Sequence, residues 1–459
     1  MSDINQEFPY ASSLKLEEAT ITGLDGTEVT LTGLIKSFQY FEDIDMPSIS
    51  VNLDIVDNAA NIISSLPISG YENVELVFGA ADEELLTLNM KVSKIYNRFS
   101  ADRYQEYSLG LVSNELLVNE TTRLGERLSG KAEGIVSQLV TEKLGTTKKL
   151  LNDPSMFKVT FLPGKKTPFS IISSLKERTV PEDKKTFPSG SSTTSELQIS
   201  KGSAGYYFYE NYDGYHFRSI DSLNSIETNP PVETFFQEND QLNQQNARRK
   251  ILDIDFQQEI DILSKLRMGT FSNVICFYNY STGTYEEYVY NLGDRFGDME
   301  HLGSQSGLAK GQADLAVNPS RIMSVLMDHE TWFDGVEVAS PEKPDGGKKN
   351  TAEFPDWQKY VVAQSIARKQ SQNNQQVFIQ IPFRPDLRAG QTVEIMIPNN
   401  IPSSEREEND IYDKEHSGAY LIAKLQHSAD VLNAKANTYL TLVRDSYGMP
   451  DEPSDVETK

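Results

Sequence analysis

Side chains that commonly bind metals or transfer protons are scattered through this sequence. Its five histidines lie far apart and belong to no HExxH or cysteine–histidine pattern; they are His216, His301, His329, His416 and His427. Zinc sites need ligands at short, regular spacings. The sequence therefore predicts no metal site, and we expect His427, near the end of a β-rich run, to make a local hydrogen bond.

Nucleophiles and phosphate-binding loops are equally poorly indicated. The single cysteine, Cys276, lies in the apolar run 274–277, which predicts a buried and inert thiol. The run 163–167 (PGKKT) resembles the end of a phosphate loop, but it lacks the upstream glycine. It also has Lys166 where that loop needs Ser or Thr after its Gly-Lys pair. We therefore expect no phosphate site there.

Aromatic and acidic residues complete the set of candidates. Packing within a β-hairpin explains a tyrosine-rich stretch better than sugar stacking does; its tyrosines are Tyr206, Tyr207, Tyr209, Tyr212 and Tyr215. The 67 acidic residues form no paired motif that would indicate a glycosidase. We predict no catalytic, cofactor-binding or metal-binding residues, no cofactor, and a protein that is not an enzyme.

Length and composition indicate a folded chain of more than one domain. Single cores rarely grow beyond about 250–300 residues, and this chain has 459 residues, with 38% hydrophobic and 24% charged residues. Its apolar runs are far shorter than the ~20 residues of a membrane helix, so we expect no stable membrane insertion. The first residues, MSDINQEFPY, show no secretory signal. One cysteine fits folding in a reducing cytosol.

Charge is distributed unevenly along the chain, whose net charge is −24. Residues 1–120 hold 20 acidic and 6 basic residues (−14), and residues 236–459 hold 34 and 22 (−12). Residues 121–235, with 13 and 15, are nearly neutral (+2). Because acidic surfaces repel phosphate, the composition disfavours ordinary nucleic-acid binding.

The elements that must position any site are mostly β-strands. Residues 377–447 contain four or five short β-rich runs separated by turn residues, which predicts a small antiparallel barrel or sandwich. Residues 1–118 contain some seven such runs, a hairpin turn at Asp25-Gly26 and one short helix capped by Asp57. We predict a first tube-like β-barrel there.

Residues 119–239 have a different pattern and predict a small α/β domain. Apolar residues recur at helical spacing in 129–144, and Thr167-Pro168 supplies a cap and a first-turn proline for a second helix. Asp213-Gly214 joins two strands of a hairpin. The polar, serine-rich residues 181–204 predict a mobile loop.

The rest of the chain predicts a second tube-like barrel interrupted by an insertion. We assign residues 240–290 and 365–448 to the barrel, residues 291–364 to the insertion and 449–459 to an acidic flexible tail. Helices are expected after Asn318-Pro319 and after Pro355; the first would carry Ile322, Met323 and Leu326. The predicted fold class is mainly β, with an α+β middle region.

Three passages give the chain a resemblance to the baseplate hub proteins of contractile-tailed bacteriophages, which are related in fold to type VI secretion spike proteins. They are FQYFEDIDMPSISVNLDIVDNAANIISSLPISGYENVEL, then GYYFYENYDGYHFRSIDSL, and finally LRAGQTVEIMIP with SGAYLIAKLQH and YLTLVRDSYG. Together they span most of the chain in the expected order.

The resemblance implies a homotrimer whose six barrels form a ring between the sixfold tail tube and the threefold central spike. The implied partners are the tail tube protein, the spike protein and other baseplate proteins, with genomic DNA passing through an acidic channel without specific binding. The implied location is the virion baseplate, after assembly in the host cytoplasm. The alternatives are a tail-associated cell-wall hydrolase and a carbohydrate-binding adhesin.

Overall fold

The structure is a computed structural model. It describes residues 12–58, 62, 66, 68–80, 83–101, 104–156, 158–182, 204–237, 244–258, 261–279, 283–303, 317–326, 333–334, 357–399 and 412–448.

Thirteen strands of the described chain form one large sheet. They are β1 (Leu14–Thr22), β2 (Glu28–Thr30), β3 (Ile35–Asp43), β4 (Ser50–Asp57), β5 (Asn73–Ala80), β6 (Leu86–Ser100), β7 (Gln105–Val112), β13 (Thr234–Phe236), β14 (Asp253–Gln258), β19 (Gln375–Pro382), β20 (Thr392–Met396), β21 (Gly418–Asp430) and β22 (Lys435–Arg444). Their order is β14-β19-β22-β21-β3-β4-β7-β6-β5-β1-β2, with β20 beside β21 and β13 beside β20. The mainly β fold class is confirmed.

The prediction of two separate barrels needs correction, because one continuous sheet runs through both regions. Strand β3 of the first region pairs antiparallel with β21 of the second, from Lys424↔Asp43 to Asp430↔Ser37. The path ends at β14 and β2, so the sheet is open. Each region alone would leave a long strand edge with unpaired N–H and C=O groups, and this pairing satisfies them.

Alternation along strands such as β4 and β19 buries one face of the sheet. On β4, Val51, Leu53 and Ile55 are buried and the residues between them are not. On β19, Val377, Ile379 and Ile381 behave in the same way. These side chains belong to one apolar cluster that draws on both regions. The strands predicted in residues 1–118 and 377–447 are therefore confirmed. Their predicted grouping into two separate barrels is not.

The middle region forms two small sheets with helices against them. Its strands are β8 (Leu128–Lys131), β9 (Leu150–Asn152), β10 (Lys158–Phe161), β11 (Tyr206–Asn211) and β12 (Gly214–Ser219). Its helices are Asn114–Thr121, Ala132–Gln138 with the π-turn Leu139–Lys143, Pro168–Lys176 and Ile220–Asn224. The predicted hairpin turn is confirmed, with Gly214 at a φ of +133°. The predicted cap is confirmed too, since Thr167 accepts a hydrogen bond from the Ser170 N–H.

A further three-stranded sheet contains β16 (Thr284–Asn291), β15 (Ser272–Asn279) and β17 (Arg321–Leu326) in that order. Two predictions are wrong here. The hairpin β15–β16 pairs with β17 and not with the closing strands, whereas β14 does pair with β19. The segment after Pro319 is a strand and not a helix, because parallel pairing with β15 outweighs its local helical spacing.

The remaining described elements are short, apart from one helix. Strand β18 (Phe333–Asp334) pairs with β10, and the 3₁₀ turns are Gln244–Arg249 and Phe296–Asp298. The helices are Ile262–Met268, Leu292–Arg295 and Trp357–Ser371, the last confirming the prediction after Pro355. No helix in the described ranges is long and apolar enough to cross a membrane.

Several predictions fall on residues outside the described ones. They include most of the loop 181–204, much of the insertion 291–364, the tail 449–459, His329 and most of the helix after Asp57. Asp57 itself accepts a hydrogen bond from the Ile62 N–H at 2.6 Å, as a helix cap would. The domain boundaries stay predictions.

Candidate functional site

The candidate site is the face of the large sheet opposite the apolar core, here called the polar face. We define it by alternate residues of β22, β21, β3, β4 and β7, which face away from the buried cluster. They are Lys435, Asn437, Tyr439, Thr441, Lys424, Gln426, Ser428, Asp430, Ser37, Gln39, Phe41, Asp43, Ser50, Asn52, Asp54, Val56, Glu106, Ser108, Gly110 and Val112. Neutral hydrogen-bonding groups dominate, so the face is hydrophilic without strong charge.

Acidic groups outnumber basic ones on this face. Among its defining residues the carboxylates are Asp43, Asp54, Glu106 and Asp430, and the lysines are Lys424 and Lys435. Two further lysines of β6 border the face, because Lys91 and Lys94 lie opposite Val112 and Gly110. Lys424 Nζ lies 3.1 Å from Asp43 across the seam between the two regions, and 58% of its side chain is exposed. Such an exposed pair contributes at most about 1 kcal/mol. The residues that define the face therefore include no cationic cluster of the kind that binds phosphate, and the lysines of β6 lie at its border.

Asp54 is held by neutral partners. Ser37 Oγ and Ser108 Oγ each donate a hydrogen bond to its carboxylate at 2.7 Å. These residues lie side by side on β3, β4 and β7, so the carboxylate links three strands. A negative charge is thereby fixed on the polar face by hydroxyl groups and not by a cation.

A groove of about 410 Å³ crosses the polar face where the two regions meet. Half-buried Phe41, Phe378 and Tyr439 line it together with the exposed Met46. Phe378 and Tyr439 stack with ring centroids 5.8 Å apart. This volume lies within the range of ligand pockets, about 300–1,000 Å³. The groove is the main apolar feature of an otherwise hydrophilic face.

Beneath the seam, Glu42 joins three parts of the chain. Its carboxylate accepts hydrogen bonds from the Tyr212 N–H at 2.8 Å, the Ala389 N–H at 2.7 Å and the Tyr40 hydroxyl at 2.5 Å. Burial raises the pKa of Glu42 to about 6, and the nearby Arg388 guanidinium opposes that rise. Glu42 therefore fixes β3 to the hairpin β11–β12 and to the loop before β20.

A second buried carboxylate fixes the start of β4 to the middle region. Glu210 accepts a hydrogen bond from the Ile49 N–H at 3.1 Å and from Lys148 Nζ at 2.5 Å. Lys148 also pairs with Glu115 at 2.9 Å. Burial raises the pKa of Glu210 although Lys148 opposes it. Burial would lower the pKa of Lys148, but the two carboxylates outweigh it and raise that pKa.

A third cluster fixes the helix Trp357–Ser371 to the end of β22. Arg368 is fully buried, and its guanidinium donates to Asp445 and to the Glu300 carbonyl oxygen. Asp445 also bonds His301 Nδ1 at 2.6 Å. Burial would raise the pKa of Asp445, but Arg368 and His301 outweigh burial and hold it well below its usual range.

The histidines singled out in the sequence lie apart. His216 Nε2 bonds Asn211 Oδ1 at 2.8 Å, His301 bonds Asp445, and His416 Nδ1 bonds Asp413 at 2.7 Å. Burial lowers the pKa of His216 to about 4. Within the described ranges, no three acidic, histidine or cysteine side chains are grouped so as to hold a metal ion.

The remaining residues singled out in the sequence are a cysteine, a candidate phosphate loop and the hairpin tyrosines. Cys276 is buried, as predicted. The run 163–167 leads into the helix that Thr167 caps. The hairpin tyrosines are confirmed as packing residues, because they are buried, with the exception of the half-buried Tyr212; the buried ones are Tyr206, Tyr207, Tyr209 and Tyr215.

His427 makes the local hydrogen bond that the sequence predicted. Its Nδ1 lies 3.0 Å from Thr438 Oγ1, and its ring stacks on Tyr40 with centroids 5.6 Å apart. Burial lowers the pKa of His427 to about 3. Below pH 6.5 the unfolded chain binds a proton that the folded chain does not, so stability falls as the pH falls towards 3.

We expect His427→Phe to reduce the acid sensitivity of the fold. Phenylalanine keeps an aromatic ring against Tyr40 and cannot take up a proton. Between pH 6.5 and 4.5, His427 costs the wild type about 2.7 kcal/mol, at 1.36 kcal/mol per pH unit. Urea titrations at pH 7 and 4.5 should therefore show a smaller loss of unfolding free energy in the variant by about this amount. Equal losses in both proteins would contradict the assignment.

Sequence reasoning missed Glu42, Glu210, Arg368 and Asp445. One signal was available for Glu42. It follows Phe38 and Tyr40 at the strand period, so it occupies the buried face of β3. A carboxylate at such a position must have hydrogen-bond donors. Those donors come from segments as distant as Ala389, 347 positions away, and therefore could not be named.

Comparison with known proteins gives no family model and no curated protein that matches. Among solved structures, the chain is similar to the tail protein of Neisseria meningitidis MC58, with 11% identity, 93% of this chain and 96% of that chain covered, and a TM-score of 0.49. It is similar to the 43 kDa tail protein of prophage MuSo2 from Shewanella oneidensis, with 9% identity, coverages of 94% and 99%, and a TM-score of 0.47.

A component of the type VI secretion system of E. coli is also similar, with 10% identity, coverages of 96% and 79%, and a TM-score of 0.41. The three solved structures named here are thus a tail protein, a prophage tail protein and a component of type VI secretion.

Proposed function

We propose that this chain is a structural, non-enzymatic subunit of a phage tail baseplate. In this role it forms a homotrimeric hub that joins the tail tube to the central spike. The observation that carries the proposal is the open sheet that runs through both acidic regions and exposes one continuous polar face. Such a face is suited to line a passage, because it is hydrophilic and its defining residues include more carboxylates than lysines.

The edges of the sheet support assembly into a ring. Within the described residues, β14 has a partner on one side only, and so has β2. Open edges of a large sheet must be covered or paired to avoid aggregation. A ring of copies would cover them, and closed symmetric oligomers are the common solution for soluble proteins.

The charge of the polar face supports the passage of DNA without binding. The residues that define the face include four carboxylates and two lysines, which gives these five strands a net acidic character. Lys91 and Lys94 of β6 border them. Binding to DNA requires cationic contacts that release counterions. At physiological salt, the screening length of about 8 Å limits repulsion between copies to near neighbours. The hub role, the channel and its DNA remain proposals that rest on this face and on the resemblance in the sequence.

The buried ionisable groups favour structure over catalysis. Glu42 and Glu210 have raised pKa values, which in a cleft would suggest acid–base chemistry. Here both are almost fully buried, and their oxygens accept hydrogen bonds from backbone N–H groups of other segments. Both carboxylates therefore hold separate segments of the fold together.

Assembly with purified tail tube protein tests the proposal. We expect electron micrographs to show this chain capping one end of each tube. The rival functions give different results: a cell-wall hydrolase would release peptidoglycan fragments, and an adhesin would bind glycans on an array as a monomer. Absence of capping together with either of those activities would overturn the proposed function.

A further inference from the structure

We propose that copies of this chain join edge to edge, with residues 94–96 of β6 in one copy beside β14 of the next. The contact rests on the proposed function, because it requires that copies assemble. Two strand edges that have no partner among the described strands carry the proposal, since their apolar and charged side chains are complementary.

The second half of β6 has one free edge. Strand β5 pairs with β6 only as far as Lys91, and the preceding Tyr71 and Glu72 then bond the backbone of Val92. Beyond Val92, within the described residues, β6 pairs with β7 alone. On the side that β5 leaves open, residues 94–96 therefore offer backbone N–H and C=O groups to a further strand.

Side chains on this edge of β6 alternate between two faces. Ile95 lies opposite the buried Leu109 and thus on the core side, yet it is 37% exposed. Lys94 and Tyr96 lie on the other, polar side. The stretch 91–100 contains three basic residues and no acidic one. This edge is therefore apolar on one side and cationic on the other.

The edge of β14 has the complementary pattern. In the described sheet, β14 is the terminal strand and pairs with β19 alone. Its half-buried Ile254 and Phe256 pack against the core cluster. Asp253 and Asp255 alternate with them and are exposed on the polar side. This edge is therefore apolar on one side and anionic on the other.

Pairing Ile95 with Ile254 brings like faces together, whichever direction the strands run. The two isoleucines then cover each other on the core side. Antiparallel pairs are two to three times as common as parallel ones, and an antiparallel pair would place Lys94 opposite Asp255. Opposite charges that face each other across two strands stabilise the pair.

The other terminal strand of the sheet, β2, is a poorer partner for β14. Its residues are Glu28, Val29 and Thr30. With Val29 beside Ile254, the Glu28 carboxylate would face an aspartate of β14. Like charges directly opposite each other destabilise a strand pair, so the charges favour β6.

The strand that pairs with β14 must come from a second copy. Six strands lie between β6 and β14 in the sheet of one chain, which separates them by about 34 Å along the sheet at ~4.8 Å per strand. Because the two edges differ, each copy can offer β6 to one neighbour and β14 to another. Contacts of this kind close into a ring when the rotation between copies allows it.

Cysteine cross-linking tests the contact in the full chain. Ile95→Cys and Ile254→Cys are combined in a Cys276→Ala background, and the matched control combines Val29→Cys with Ile254→Cys. We expect oxidation to link different copies through positions 95 and 254 at least about tenfold faster than through positions 29 and 254. Light scattering before oxidation shows separately whether the copies assemble.

Charge reversal gives a second readout that leaves both isoleucines in place. Lys94→Glu and Asp255→Lys should each speed the exchange of subunits between labelled particles about tenfold at low salt, because each places like charges opposite each other. The two substitutions together should restore slow exchange.

Each contrary result has a distinct meaning. A trimer in which both cysteine pairs link equally fast would overturn this contact and leave the proposed hub standing. A monomer would overturn both. Links between positions 95 and 254 of the same chain would overturn the pairing between copies. Single charge reversals that the combination does not rescue would show that Lys94 and Asp255 do not face each other, and would overturn the proposed register.

Discussion

Replacing Glu42 by alanine should lower the free energy of unfolding by about 3–5 kcal/mol at pH 7. The substitution leaves the Tyr212 and Ala389 N–H groups and the Tyr40 hydroxyl without their acceptor in a buried site. Each unsatisfied buried donor costs about 1–3 kcal/mol. Urea titration gives the total, and hydrogen exchange should show that the Tyr212 and Ala389 amides exchange at least about 100-fold faster.

The matched control is Glu17→Ala, which removes an exposed carboxylate whose side chain is 52% accessible and paired with Lys15. It should change stability by less than about 0.5 kcal/mol. An equal loss of stability in the two variants would show that Glu42 does not specifically stabilise the contact between the two regions.

The pKa of Glu42 gives the pH dependence of this effect. Burial raises it from 4.5 to about 6. The folded chain therefore binds a proton between these values that the unfolded chain does not. The resulting stabilisation is fully present below pH 4.5 and is lost as the pH rises through 6. The stability difference between wild type and Glu42→Ala should be larger at pH 4.5 than at pH 7, by about 2 kcal/mol.

The second large effect is expected at Arg368. Arg368→Met leaves Asp445 buried with its main counter-charge removed, because Asp445 is 1% exposed. Breaking a buried ion pair in this way costs about 3–5 kcal/mol. Lys369→Met is the control, since Lys369 pairs with Asp45 at the surface and its loss should cost no more than about 1 kcal/mol.

A double-mutant cycle separates charge from packing. In the Arg368→Met variant, the Asp445 carboxylate has lost its main counter-charge. If that unpaired charge causes the loss of stability, Asp445→Asn should recover part of it in the same background. The coupling energy between the two substitutions should then be about 1–3 kcal/mol. Strictly additive losses in the two single variants would show that the pair does not act as one unit.

Local patterns predicted the strands and turns because their causes are local. The alternation of Val51, Leu53 and Ile55 marks a strand with one buried face, and Thr167-Pro168 marks a capped helix. Asp213-Gly214 was recognisable because glycine tolerates a φ of +133° that other residues avoid.

The pairing of strands that lie far apart in the chain could not be predicted from the sequence. Nothing in the sequence of β3 specifies β21 as its neighbour, and both strands would also satisfy their edges inside separate barrels. Near Pro319, the spacing of Ile322, Met323 and Leu326 fits a helix, but β15 supplies a parallel partner and makes the segment a strand. The buried site residues were missed for the same reason, because the ion pair of Arg368 with Asp445 forms only in the folded chain.

The mass of the native particle in solution tests the central claim most directly. A structural hub built by closing the open sheet into a ring should contain three copies of the 51.5 kDa chain. Light scattering across a wide range of protein concentration should therefore give about three times that mass, with no dissociation on dilution to micromolar levels. A particle with the mass of one chain at high concentration, without added tube or spike protein, would contradict the account.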